Sequence, residues 1–371
     1  MKIAIEAQRI FRPNKHGMDF VALETIRCLQ RLDTQNEYFI LVSPGEDRCL
    51  AASDNMHIVE VDCPSYPLWE QWALPRAVKK IGPDLLHCTS NTAPLRCPVP
   101  LVLTLHDIIF LEKRNASSRS LYQNMGRVYR RLVVPRILPL CRRIVTVSRF
   151  ERERIRTALG LDADRIVAIH NGFSPHFRPI ENYRATTRRY LPDEDYLFFL
   201  GNTDPKKNTP RTLRAYARYA EQATDPRPLL IADLAESVID AILKEEGIAS
   251  VKPMLRFPGY IPNTDLPAVY SGARAFIYTS LRESFGIPLL EAMACGTPVL
   301  SSDCSAIPEI AGDGALLVDP TDEQAIAQGL LKLENDPDFY RSCVEYGFER
   351  VKNFSWEKCA RELLALYDSL R

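Results

Sequence analysis

Short β-branched and aliphatic runs alternate with helical periods along the whole chain, the pattern of parallel βαβ units. In the first half the runs Lys2–Ala7, Tyr38–Ser43, His57–Asp62, Asp84–Thr89, Leu101–His106, Arg143–Ser148 and Arg165–His170 predict strands. Most are nearly continuous in apolar residues, as expected for strands covered by helices on both faces. The stretch Phe173–Asp195 breaks the alternation with Pro175, Pro179 and Pro192 and predicts a linker. The alternation then restarts. Strands Tyr196–Gly201, Leu229–Ala232, Met254–Phe257, Ala275–Thr279, Pro298–Ser302 and Ala315–Val318 are interleaved with helices Pro210–Glu221, Ala235–Glu246, Asp265–Ser271 and Ile287–Ala294. Three helices, Asp322–Glu334, Asp338–Lys352 and Trp356–Leu370, close the chain. The prediction is an α/β protein of two Rossmann-like, doubly wound parallel-sheet domains. Open sheets of this kind bind ligands beyond the carboxyl ends of their strands, so two of them facing across a cleft would share one site there.

A length of 371 residues favours two domains over one core. Net charge is zero, but it is unevenly spread: residues 1–178 carry 26 Lys plus Arg against 18 Asp plus Glu, and residues 179–371 carry 21 against 29. The basic excess peaks in Arg114–Arg156, where twelve arginines face only Glu151 and Glu153. Such a stretch suits an anionic partner, a lipid headgroup or a phosphorylated acceptor; the alternative is a solvated face paired with carboxylates elsewhere. No nucleic-acid module signature accompanies the charge, so no nucleic-acid partner is expected. The ten cysteines form no C-x-x-C pair and no metal-ligand spacing, and Cys88 within LLHCT reads as a small buried hydrophobe. No signal peptide precedes the first strand and no 18-residue apolar run occurs, which predicts a cytoplasmic, non-spanning protein.

The most informative segment is Ser280-Leu-Arg-Glu-Ser-Phe-Gly-Ile-Pro-Leu-Leu-Glu-Ala-Met-Ala-Cys-Gly-Thr-Pro298. A strand ends near Ser280, a turn holds Gly286, and a helix begins around Pro288, a favoured early helical position. Backbone N–H groups at such a start suit a diphosphate. Glu283 lies in the turn and Glu291 about one helical turn inside, so they can hold different parts of one ligand. A carboxylate can accept two vicinal hydroxyls of a sugar.

This segment resembles the E-x7-E signature of retaining nucleotide-sugar glycosyltransferases of family 4, the GT-B group that includes the "glycosyl transferases group 1". The resemblance extends through Gly259–Tyr270, Ser301–Glu309, Gly312–Pro320, Leu105–Asp107, Val147–Phe150 and Asn171-Gly172, and so spans essentially the whole chain. It implies an acceptor domain over 1–173 and a donor domain over 174–354, with the final helix 355–371 packing back on the first. It also implies that Glu283 bonds the donor sugar and steadies charge near the anomeric carbon. By the same resemblance Glu291 would hold the ribose hydroxyls, the backbone of Ser284, Phe285, Gly286 and Ile287 would face the diphosphate, and the loop at Tyr260 and Ile261 would frame the base.

In Gly201-Asn-Thr-Asp-Pro-Lys-Lys-Asn208, the resemblance makes Lys207 the diphosphate cation. Such a contact strengthens as the leaving group gains charge. Many members carry Arg just after the strand glycine where this chain has Asn202, leaving Lys206 as the candidate second cation. His106 ends its strand and is implied as a donor-sugar contact, steadying the oxocarbenium-like centre by orientation; His170 reads as structural. The family's Gly-rich loop corresponds to Pro13–Asp19, with Gly17 as the equivalent glycine beside Met18. The D-x-D triplets Asp162–Asp164, Asp193–Asp195 and Asp336–Asp338 fall in predicted turns and helix starts, where Asp caps, so neither a metal nor a cofactor is expected.

The expected activity is retaining transfer of a hexosyl group from a nucleotide diphosphate sugar to a saccharide or lipid-linked acceptor, in bacterial polysaccharide or glycoconjugate synthesis. The alternatives are a nucleotide-sugar epimerase of the same fold and a non-catalytic sugar-nucleotide-binding partner. A helix carrying Tyr122, Met125, Val128, Tyr129, Leu132 and Val133 beside Arg127, Arg130 and Arg131 is expected to offer an apolar and a basic side to an anionic inner membrane face.

Overall fold

The computed structural model describes residues 1–112, 121–192 and 195–371, and the side chains of the helix starting at Leu121 from Met125 onward. Arg114, Arg119, Asp193 and the Tyr122 side chain lie outside the described residues. The chain divides into two compact units, Met1–Gly172 with Trp356–Arg371, and Phe173–Ser355.

Unit 1 holds β1 (Lys2–Glu6), β2 (Glu37–Val42), β3 (Met56–Glu60), β4 (Leu85–Cys88), β5 (Leu101–Thr104), β6 (Cys141–Thr146) and β7 (Ile166–Ala168). They form one parallel sheet in the order β3-β2-β1-β4-β5-β6-β7. Unit 2 holds β8 (Tyr196–Leu200), β9 (Leu229–Ala232), β10 (Leu255–Gly259), β11 (Ala273–Tyr278), β12 (Val299–Ser302) and β13 (Ala315–Val318). Its parallel sheet runs β10-β9-β8-β11-β12-β13. In both sheets the winding reverses beside the first strand, between β1 and β4 and between β8 and β11, and a crevice opens at the carboxyl ends there.

The continuous apolar runs have a direct cause in unit 2. Leu197 and Phe199 of β8 face a core shared with the helices Thr209–Gln222 and Glu323–Asn335. Tyr196 and Phe198 face the opposite core, with Val269, Tyr270, Leu289 and Met293. Successive side chains alternate between faces, and both faces are dry.

The stretch Phe173–Asp195 is not a linker. Phe177 and Leu191 lie in the unit 2 core, and Arg189 pairs with Asp265 at 3.0 Å. Its prolines remove the helical and strand periods that would have revealed it, yet its apolar residues still find partners.

The last helix, Trp356–Asp368, packs on the helix Gly17–Leu32 of unit 1. Tyr367 Oη meets His87 Nδ1 at 2.6 Å, and His87 Nε2 meets Thr104 Oγ1 at 2.8 Å.

Within the arginine-rich stretch, many side chains serve the fold. Arg127 Nε and Arg131 Nε donate to the Phe110 carbonyl at 3.0 and 2.7 Å, Arg152 Nε to Ile166 O at 3.0 Å, and Arg154 pairs with Glu112 at 2.6 Å. In the helix Leu121–Ile137, Val133 joins Val134 and Ile137 in the core, whereas Met125, Val128 and Leu132 face solvent. The apolar row therefore splits between two sides, and Arg127 and Arg131 are committed to backbone carbonyls.

All ten cysteines are free. Among the described residues no helix is long and apolar enough to cross a membrane.

Candidate active site

In unit 2 the polar side chains gather where the carboxyl ends of β8 and β11 lie side by side. Gly201 leaves β8 where any Cβ would sit 2.6 Å from Leu234 Cδ1, so a larger residue there must push Leu234 aside. The loop then closes on itself: Asn202 Oδ1 accepts from Asp204 N at 2.8 Å, and Asp204 Oδ1 from Lys206 N at 3.1 Å. Asn208, buried and left-handed at φ 61°, donates through Nδ2 to Thr279 O at 3.0 Å and Pro320 O at 2.8 Å. It pins the loop to the end of β11.

That anchor sets Lys207 against the second loop. Its Nζ lies 2.5 Å from Glu283 Oε1 and 3.4 Å from Tyr278 Oη, over the Tyr278 ring. Burial, and then the Glu283 charge, push the Tyr278 phenol well above its ordinary value. Lys206 points elsewhere and pairs with Asp204 at 3.4 Å. Glu283 is fixed through its backbone: its N–H donates to Ser305 Oγ at 2.9 Å, and Ser305 Oγ donates to its carbonyl at 2.5 Å.

Gly286 follows at φ 101°, and a Cβ there would meet Leu289 Cδ1 at 3.0 Å. The helix Ile287–Ala294 begins with no side-chain cap, which suits an anion at its start. Glu291 makes no hydrogen bond or ion pair among the described residues, and burial pushes its carboxyl up to about 8. A half-buried carboxyl with no partner is costly unless a ligand completes it. Phe285 contributes only its backbone to this loop, since its ring is buried edge-on to Phe354 at 5.9 Å. Across the sheet, Tyr260 is exposed and Ile261 is core.

Unit 1 has its own polar cluster at the same topological position. His106 N donates to Asn91 Oδ1 at 2.6 Å, and His106 Nε2 lies 2.9 Å from the Thr89 carbonyl. A carbonyl only accepts, so Nε2 carries the proton. Burial lowers the imidazole's pKa and keeps it neutral, which leaves the Nδ1 lone pair as an acceptor. The loop beneath is held by buried Glu6, whose Oε2 accepts from Thr89 N at 3.1 Å. His106 and Asn171 line a pocket with Thr89, Val145 and Val147. Gly17 begins its helix with nothing within 4 Å of a built Cβ, so the space beside it is open.

The structure thus brings Lys207, Glu283 and the helix carrying Glu291 together in unit 2, and sets His106 and Gly17 in unit 1. Lys206 and Asn202 close their own loop. Tyr278, Ser305 and Asn91 escaped the sequence reading: only Ser305 lies in a segment the resemblance covered, and nothing in its spacing revealed its contact with Glu283. No group of three or more His, Cys, Asp or Glu side chains among the described residues is arranged to hold a metal ion. Asp336 caps the helix Pro337–Val351, accepting from Phe339 N at 2.9 Å, and Asp338 pairs with Arg341.

Two family models match the chain: Glycosyltransferase Family 4 over residues 16–177 and Glycosyl transferases group 1 over residues 184–350. The chain is 32% identical over 230 residues to the O-antigen chain mannosyltransferase B of Escherichia coli, a match covering 61% of this chain and 60% of that protein. It is 26% identical over 304 residues to the O-antigen chain mannosyltransferase RfbU of Salmonella typhimurium, covering 77% and 76%. Among solved structures it resembles the sucrose-phosphate synthase from Thermosynechococcus elongatus, with TM-score 0.76 at 21% identity over 100% and 98% of the two chains. An Anabaena protein solved with UDP-glucose gives TM-score 0.73 at 16% identity over 100% of both. At these identities the structural likeness shows a shared fold.

Proposed function

Because this chain belongs to the group 1 glycosyltransferases of family 4, with their GT-B fold, we propose that it transfers a mannosyl group with retention from a nucleotide diphosphate donor to a saccharide or lipid-linked acceptor. The observation that carries this reading is the Lys207–Glu283 pair at 2.5 Å beside Glu291, which has no partner among the described residues. The names of the two O-antigen mannosyltransferase relatives support the choice of sugar.

On donor binding, Lys207 exchanges Glu283 for the diphosphate, to which the start of the helix Ile287–Ala294 adds partial positive charge. Glu283, released, accepts from a sugar hydroxyl and stabilises positive charge developing at the anomeric carbon. Glu291 accepts the two ribose hydroxyls. His106 accepts a sugar hydroxyl at Nδ1. The bond from the anomeric carbon to the diphosphate oxygen breaks, the acceptor oxygen attacks the same face, and its proton passes to the departing phosphate oxygen. No metal is needed.

A thermal-shift screen against nucleotide sugars, followed by NMR of the product's anomeric centre, tests the proposal. A mannosyl donor at a hundred times its Kd should add about 2.7 kcal/mol of stability. The product should keep the donor's anomeric configuration. Inverted product, or release of an epimer of the donor, would overturn it.

A further inference from the structure

We propose that the exposed side of the helix Leu121–Ile137 from Met125 onward, with the segment Tyr66–Lys80 beside it, is a docking surface for an anionic lipid bilayer. In that helix Met125 is 72% exposed, Val128 56% and Leu132 54%. Their spacing of three and four residues puts them on one stripe, while Val133, Val134 and Ile137 occupy the core side. A helix at an ordinary surface shows one apolar stripe, turned inward. This one has a second, turned outward.

The neighbouring segment repeats the feature. Gln71 Nε2 donates to Tyr129 Oη at 2.8 Å, and Tyr129 Oη to Glu70 Oε2 at 2.5 Å, so the two elements lie side by side. Here Leu68 is 53% and Trp72 55% exposed, four residues apart. Single exposed apolar residues are ordinary, but five on two joined elements are not.

Charge selects the occupant. The sequence from Leu121 to Arg143 contains no carboxylate, and the acid in Tyr66–Ile81, Glu70, is buried and accepts from Tyr66, Gln71, Thr92 and Tyr129. Arg136 flanks the outward stripe, Arg76 stacks on Trp72 at 3.6 Å, and Lys79 and Lys80 follow, all exposed. Apolar side chains bordered by cations, with no carboxylate at the surface of either segment, match the acyl boundary and phosphate layer of an anionic leaflet. A second copy of the chain would instead bring like charges together.

Trp72 makes the test direct. Of the three tryptophans, Trp69 and Trp356 are buried, so changes in exposed-indole fluorescence report Trp72. With the full chain, phosphatidylcholine vesicles containing phosphatidylglycerol should blue-shift the emission and protect it from acrylamide; pure phosphatidylcholine vesicles should not. Val128→Asp with Leu132→Asp should lower binding about tenfold or more. Arg76→Glu with Arg136→Glu should abolish the preference for anionic vesicles. Trp72→Phe should still pellet with anionic vesicles but lose the spectral shift. Unchanged melting temperature and nucleoside diphosphate affinity in these variants separate the surface from the proposed reaction. Equal binding to both vesicle types, no binding to either, or variants that bind like the parent would overturn the proposal. So would a dimer that Leu132→Asp dissolves, seen without vesicle binding.

Discussion

Glu283 and Glu291 are the same chemical group eight positions apart, but their surroundings differ. Glu283 is ion-paired with Lys207, while Glu291 has no partner among the described residues and is raised to about 8 by burial. In the free protein at neutral pH Glu291 is therefore mostly protonated, whereas a carboxylate that accepts two ribose hydroxyls must be ionised. Nucleoside diphosphate affinity should rise from pH 7 to pH 9 by about tenfold, the factor set by one unit of pKa, and level off above it. Glu291→Gln should weaken binding and flatten that pH dependence. Glu283→Gln should leave nucleoside diphosphate affinity nearly unchanged, because it frees Lys207, while turnover largely disappears. Calorimetry at several pH values checks both, and equal loss of binding in the two variants would refute the division. The two carboxylates and Lys207 stood out because each sits in a short stretch, following a strand, that carries the family resemblance. Ser305 and Tyr278 were not: they meet Glu283 and Lys207 across 22 and 71 positions, and no local pattern encodes such pairings.

At the scale of elements, all thirteen strands among the described residues fell on apolar runs visible in the sequence, with ends moved by a few residues. The errors came where periodicity carries no direction. The helix Leu121–Ile137 shows apolar residues on two sides, so its period alone could not say which side was core. Phe173–Asp195 shows no period, yet it is packed. The helix Trp356–Asp368 buries Trp356, Cys359, Leu363 and Tyr367 in unit 1. At about 1.5–3 kcal/mol for each large side chain, it supplies a sizeable part of the roughly 5–15 kcal/mol that stabilises a domain. Deleting residues 356–371 should therefore abolish the calorimetric transition of unit 1 while that of unit 2 persists. Tyr367→Phe is subtler: it leaves buried His87 Nδ1 without its partner and should cost about 1–3 kcal/mol. His87 is held neutral, its pKa lowered by burial to about 3. Its folded value lies below its unfolded one, so the stability it contributes is present above pH 6.5 and fades as pH falls towards 3. Unit 1 should lose melting temperature across that window, and His87→Asn should blunt the slope.

At the scale of the whole molecule, the two-sheet α/β architecture was legible because each half repeats the same alternation. The division of positive charge was legible only in outline. The basic excess of the first half resolves into arginines that hold carbonyls together and others that face solvent. The acidic second half still brings a lysine and a helix start to one crevice. That distinction bears on how the leaving group is neutralised. Enzymes that use a metal for this place acidic side chains around the cation. Here Asp336 caps a helix, Asp338 pairs with Arg341, and Asp162 and Asp164 belong to a single turn before β7. Glu283 faces a lysine, which would repel a divalent ion from the same oxygens. If Lys207 and the start of the helix Ile287–Ala294 supply the charge, turnover should survive excess EDTA and gain little from added Mg²⁺ or Mn²⁺. Lys207→Met should then lose activity that no divalent ion restores, and it should weaken nucleoside diphosphate much more than the nucleoside alone, because the lost contact is to phosphate. Lys207→Arg should recover part of the binding, as a guanidinium can still reach a phosphate but does not match the ammonium's geometry. Loss of turnover in EDTA with recovery on Mg²⁺ would show instead that a metal neutralises the diphosphate, and the aspartate triplets would need to be tested as its ligands.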